Sequence, residues 1–110
     1  MDLLTKVSVY AIPGMPARQT PEGIVETVEM YTGQSIRTIT RKREVVEARQ
    51  ITMYVLKQRT NLSLAAIGAV CGNKDHSTVL HALKTVENLL ITDKKFTANY
   101  EPLLNQFNLK

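Results

Sequence analysis

Residues 63–78 read Ser63-Leu64-Ala65-Ala66-Ile67-Gly68-Ala69-Val70-Cys71-Gly72-Asn73-Lys74-Asp75-His76-Ser77-Thr78. Ser63 suits the N-cap of a short helix over Leu64–Val70, with Ile67 and Val70 pointing inward. Cys71-Gly72-Asn73-Lys74 then makes a tight turn. Asp75 is a second N-cap, whose carboxylate can accept the otherwise unpaired amides of Ser77 or Thr78. The helix it opens runs from His76 to about Leu90. Val79, Leu83, Val86 and Leu90 form its core stripe. At about 100° per residue, Ser77, Thr78, His81, Lys84, Thr85 and Asn88 share the opposite side. A short helix, a turn with glycine and a capped, amphipathic second helix predict a helix-turn-helix.

The flanking sequence continues the helical pattern. Thr20 before Pro21 is an N-cap followed by proline in the first helical position, and Ile24, Val25, Val28 and Tyr31 make an apolar stripe that ends at Thr32-Gly33. A longer helix fits about Glu44–Arg59. Its buried side is Val45, Ala48, Ile51, Thr52, Val55 and Leu56, with Gln50, Met53 and Lys57 lined up opposite. A last helical region from about Asp93 to Phe107 carries Phe96, Tyr100, Leu103, Leu104 and Phe107, and Pro102 inside it should kink or split it. Ahead of the helices, residues 13–23 hold three of the four prolines and two of the five glycines, which reads as a linker. Val7 and Val9 alternate with polar neighbours as a short extended arm. The expectation is an all-α bundle over residues 20–110, with residues 1–19 as arm and linker.

Composition narrows the function. The 110 residues are 44% hydrophobic and 22% charged, which suits one soluble domain with its own core and excludes wholesale disorder. No run approaches the ~18 apolar residues of a membrane span, and the start lacks a secretory leader, so a cytoplasmic setting is expected. Lone Cys71 excludes an internal disulfide and a four-cysteine zinc site, and it reads as a small core hydrophobe. His76 and His81, five apart, miss the i, i+4 spacing of a helical metal pair, so no metal is expected. No GxxxxGK[ST] loop is present, so neither a bound nucleotide nor another cofactor is expected, and the chain reads as a non-enzyme.

Charge points to the partner. The net charge is +4, yet residues 37–59 alone carry seven bases against Glu44 and Glu47, for a local +5. So concentrated a basic stretch suits a polyanion, or else serves as a solvated face. The second helix of a helix-turn-helix can enter a DNA major groove. There Asp75 can accept from a cytosine amino group, and His76, Ser77 and Thr78 can bond base edges or touch a thymine methyl. Lys74 and the helix-start amides would hold phosphate, as would the basic loop Arg41-Lys42-Arg43. A plain helical bundle in which Asp75 only caps remains the alternative on these grounds.

The string Gly72-Asn73-Lys74-Asp75-His76-Ser77-Thr78-Val79-Leu80-His81-Ala82 resembles the signature of the C-terminal DNA-binding domain of DnaA, the bacterial replication initiator. The resemblance extends through Ala48-Arg49-Gln50-Ile51-Thr52-Met53-Tyr54-Val55-Leu56 and Thr60-Asn61-Leu62-Ser63-Leu64-Ala65-Ala66-Ile67-Gly68, and covers roughly residues 22–107. It implies a Trp repressor-like helix-turn-helix that recognises double-stranded boxes resembling TTATNCACA. Carried over by position, Asp75, His76 and Ser77 resemble the major-groove readers, and Arg41 the arginine that enters the minor groove. Arg49, Gln50, Lys57, Leu64, Lys74 and Thr78 resemble positions that grip the phosphate backbone.

The chain departs from that pattern in several places. Ala48 and Ala65 stand where the family usually has proline, Cys71 replaces an aromatic residue, and Asn73 replaces the second turn glycine. Asparagine tolerates a left-handed backbone, so the turn should survive. Lys74 replaces arginine, which keeps the charge and loses the fork. Glu47 puts an acid near the expected DNA side. With no ATPase domain, the chain is expected to bind DNA without initiating replication alone, either as a separate gene product, which Met1 and the arm favour, or as a piece of a longer protein. The expected partners are double-stranded DNA and, secondarily, replication proteins. The alternatives are a protein-interaction module using the arm and the Met53–Tyr54 side, or a transcriptional or mobile-element regulator with its own operator.

Overall fold

A computed structural model describes residues 20–109. The arm around Val7 and Val9 lies outside the described residues. Five helices follow in order: α1 (Pro21–Thr32), α2 (Arg43–Arg59), α3 (Leu64–Val70), α4 (His76–Thr92) and α5 (Lys94–Gln106). No strand occurs among the described residues. The helices start where side chains can take up orphan amides. Thr20 Oγ1 accepts from Gly23 N at 3.1 Å, so the last residues of the expected linker are already helix. Ser63 Oγ accepts from Ala66 N at 3.1 Å and Asp75 Oδ1 from Thr78 N at 2.8 Å. Asp93 serves two helices. Its amide closes α4 on Leu89 O at 2.9 Å, and its carboxylate opens α5 on Phe96 N at 3.0 Å.

α2 is the central helix, packed against α1, α3 and α4, while α5 closes over α4. A helix with three neighbours buries more than one stripe. Val45, Ala48, Ile51, Thr52, Val55 and Leu56 are buried as expected, but so is Met53, at 1% exposure. Met53 therefore does not belong with Gln50 and Lys57 on an open face, and Tyr54 is half-buried against the core. That removes the Met53–Tyr54 side as a protein-contact patch. Tyr31 errs the other way: it is exposed, and its hydroxyl donates to Asn99 O of α5 at 2.6 Å. Phe96, Tyr100, Leu103, Leu104 and Phe107 are all buried. Pro102 does not split α5, which runs on to Gln106. The buried residues on both sides of it hold the segment helical, and the lost bond to Ala98 falls on an exposed face where water can replace it.

The helix-turn-helix is set by one close approach and one unusual backbone. A Cβ on Gly68 would overlap the Lys74 carbonyl, so only glycine lets the turn fold back far enough for Lys74 N to donate to Gly68 O at 2.9 Å. Gly72 and Asn73 take φ of 99° and 61°, the left-handed region that asparagine accepts more readily than most residues. Ile67, Cys71, Val79, Ala82, Leu83 and Val86 pack the hairpin onto α2, with Val70 and Leu90 half-buried at its edge. Fully burying each large aliphatic side chain contributes about 1.5–3 kcal/mol.

Candidate nucleic-acid interface

The start of α4 is presented outward. Asp75, His76, Ser77 and Thr78 are all exposed, while Val79 is fully buried and fixes the helix beneath them. One Asp75 oxygen holds the cap. The backbone amide of Thr78, then its hydroxyl, hold the Asp75 carboxyl below its ordinary value. The carboxylate thus stays ionised at the exposed helix start. Lys74 is half-exposed beside it, its amide tied into the turn.

The loop between α1 and α2 carries the other charges, and it is braced. Ile36 is fully buried, and its amide donates to Glu29 Oε2 at 3.0 Å. Arg49, at 7% exposure, donates from Nε to Ile36 O at 2.8 Å and from Nη2 to Thr38 O at 2.7 Å. Arg37 donates from Nε to Val70 O at 2.7 Å, and its Nη2 pairs with Glu22 at 3.0 Å. Arg37 Cα also lies 3.5 Å from where a Cβ on Gly72 would stand. The loop is therefore seated against the helix-turn-helix turn, and its distal residues Ile39, Arg41 and Lys42 project into solvent.

The expected site residues divide by exposure. Arg41, Lys42, Arg43, Lys57, Asp75, His76, Ser77 and Thr78 are exposed; Gln50, Leu64 and Lys74 are half-buried. Arg49 departs from the set, since it is buried with its guanidinium turned to backbone carbonyls rather than outward. Leu64 packs its side chain on the core, leaving its first-turn amide as the polar group it can offer. Glu47 is engaged from two sides. Arg43 Nε pairs with its Oε2 at 3.2 Å, and Tyr100 donates its hydroxyl to Oε1 at 3.2 Å. Burial, reinforced by the Glu47 charge, raises the Tyr100 pKa. Sequence reasoning missed Arg37 as a bracing residue. The loop offers two isoleucines, of which Ile36 is buried and Ile39 is 95% exposed, so no sequence signal separated the tied segment from the free one.

Burial pushes the Cys71 thiol up to about 12, despite Arg37 and Arg49 nearby, so it is a protonated core group at neutral pH. Among the described residues, no cluster of three His, Cys, Asp or Glu side chains could hold a metal ion, and no helix is long and apolar enough to cross a membrane.

Comparison with known proteins agrees with this architecture. Residues 21–86 match the family model described as the bacterial dnaA protein helix-turn-helix. A Bacteroides thetaiotaomicron protein named chromosomal replication initiator protein DnaA is 54% identical over 69 residues, covering 63% of this chain and 15% of the relative. A Flavobacterium psychrophilum protein of the same name is 56% identical over 61 residues, covering 56% of this chain and 13% of the relative. A third, from Picosynechococcus, is 32% identical over 125 residues, covering 96% of this chain and 28% of the relative. The chain thus spans between about an eighth and somewhat over a quarter of the length of these relatives. With the match running from the first helix into α4, the chain belongs to the bacterial DnaA helix-turn-helix family.

Proposed function

We propose that this chain binds double-stranded DNA sequence-selectively, at sites resembling DnaA boxes, and acts in replication initiation or its regulation. The observation that carries the reading is the capped start of α4, with Asp75–Thr78 exposed and a cationic loop seated against the turn that precedes them. In this account α4 enters the major groove, and Asp75, His76 and Ser77 meet base edges. Arg41 reaches the adjacent minor groove. Lys42, Arg43, Gln50, Lys57, Lys74 and Thr78 hold phosphates and fix the register, with the Leu64 amide as a further backbone donor. The role is binding, without catalysis. Contacts with replication proteins belong to the same reading, because the relatives are named as replication initiators.

Selection of bound sequences from a random duplex pool tests this directly. Enrichment of a box resembling TTATNCACA is expected. Enrichment of an unrelated motif would favour a transcriptional or mobile-element regulator with its own operator, and no enrichment with no duplex binding at low salt would overturn the DNA-binding reading. For the wild type, log affinity should fall against log salt with a slope of about −0.9 per phosphate neutralised.

A further inference from the structure

We infer that Arg37 and Arg49 are positioning residues that lock the cationic loop to the reading helix, with Arg49 acting through the loop rather than on a phosphate. The inference rests on the reading above, in which Arg41 and the α4 start contact one duplex at two places. The geometry is a brace in series. From α2, the planar Arg49 fork spans two alternate loop carbonyls, Ile36 O at 2.8 Å and Thr38 O at 2.7 Å. Between them, Arg37 leaves the loop in the other direction and donates to Val70 O, the last residue of α3, at 2.7 Å. Carbonyls at a helix C-terminus lack intrahelical partners, which makes them good acceptors for a guanidinium. Glu22 of α1 holds the far side of Arg37 at 3.0 Å. Ile36, buried beneath, anchors the same segment.

Three helices, α1, α2 and α3, thus meet on residues 36–38, while the neighbouring side chains of Ile39, Arg41 and Lys42 are exposed and open to a ligand. Reading two grooves at once needs a fixed spacing between the loop tip and His76. A loop ordered only on binding would weaken the complex, and a braced one avoids that cost. Lysine cannot substitute at position 49, because a single ammonium carries the charge but lacks the planar fork that bonds two carbonyls at once.

The test is a double-mutant cycle in the full chain, using Arg41→Ala, Arg49→Lys and both together, on a duplex carrying the selected box. Arg49→Lys keeps the charge a phosphate contact would need, so a direct contact predicts near wild-type affinity. The brace predicts a loss of about tenfold on the wild-type background and about threefold or less on the Arg41→Ala background, since coupled residues are non-additive. Near wild-type affinity, or losses that simply multiply, would overturn it. Arg37→Gln, at a half-exposed position, guards against misfolding of the buried variant and should show the same coupling to Arg41 at an unchanged melting temperature; unchanged affinity in that variant counts against the brace. If the wild-type chain binds no duplex, the DNA reading fails by itself. Amide exchange then decides the brace: residues 38–42 should exchange faster in both variants, and equal protection would refute it.

Discussion

Asp75 caps α4, and in the proposed reading the same carboxylate faces a base edge, so its ionisation bears on both. The Thr78 amide holds its carboxyl below the ordinary value. A carboxyl whose folded pKa is lowered stabilises the protein fully above its unfolded pKa and loses that contribution as pH falls through the folded value. Asp75→Asn keeps a capping oxygen without the charge. Thermal melts at a series of pH values should therefore show wild type ahead of Asp75→Asn at neutral pH, with the gap closing on acidification through the carboxylate range. A constant gap would mean the charge is not coupled to the cap. Cys71 gives a second check at this scale. As a fully buried thiol pushed up to about 12, it should resist iodoacetamide in the native protein and react rapidly in denaturant. Fast native labelling would contradict its burial.

At the scale of elements, the turn between α3 and α4 governs where α4 begins. Gly68→Ala places a methyl against the Lys74 carbonyl, which must move. Overpacking of this kind typically costs about 1–3 kcal/mol. Because Lys74 precedes Asp75, the same change should also weaken box binding by more than the lost stability explains. Ser63→Ala removes only the α3 cap and should cost about 1 kcal/mol with box preference intact. Denaturant melts and binding measured on both variants separate the two effects.

The caps and stripes of these elements were legible in the sequence because they are local. Ser63, Asp75 and the Val79–Leu83–Val86 row need only their own helix to declare them. Asn73 could be read as a left-handed residue for the same reason. Met53 and Tyr31 were misread, and the burial of Arg49 was not visible, because their surroundings come from other elements: three neighbours enclose α2, and a loop from residues 36–38 folds over Arg49. Pro102 was weighed on propensity alone, and the packing of Phe96, Tyr100, Leu103 and Leu104 outweighed it.

Across the whole molecule, two segments far apart in sequence, the α1–α2 loop and the turn before α4, are brought into contact. The loop at residues 36–42 and the α4 start are joined through Arg37, Val70 and the turn at Gly72. Under the proposed DNA-binding reading, phosphate-holding and base-reading side chains differ by consequence. Removing a phosphate contact weakens binding to every duplex, whereas removing a base reader narrows the difference between duplexes. The candidate site could be read in sequence as a list of residues; that most of them are exposed while Arg49 is buried against loop carbonyls required the tertiary arrangement.

The most direct measurement is the affinity ratio between the selected box and a scrambled duplex of equal length, taken by fluorescence anisotropy for wild type, His76→Ala and Lys57→Ala at one salt concentration. The ratio should collapse by about tenfold or more in His76→Ala, within the ~1–3 kcal/mol expected of a base contact. In Lys57→Ala both affinities should fall together and the ratio stay unchanged. Equal losses on both duplexes for His76→Ala would contradict the placement of the α4 start against base edges.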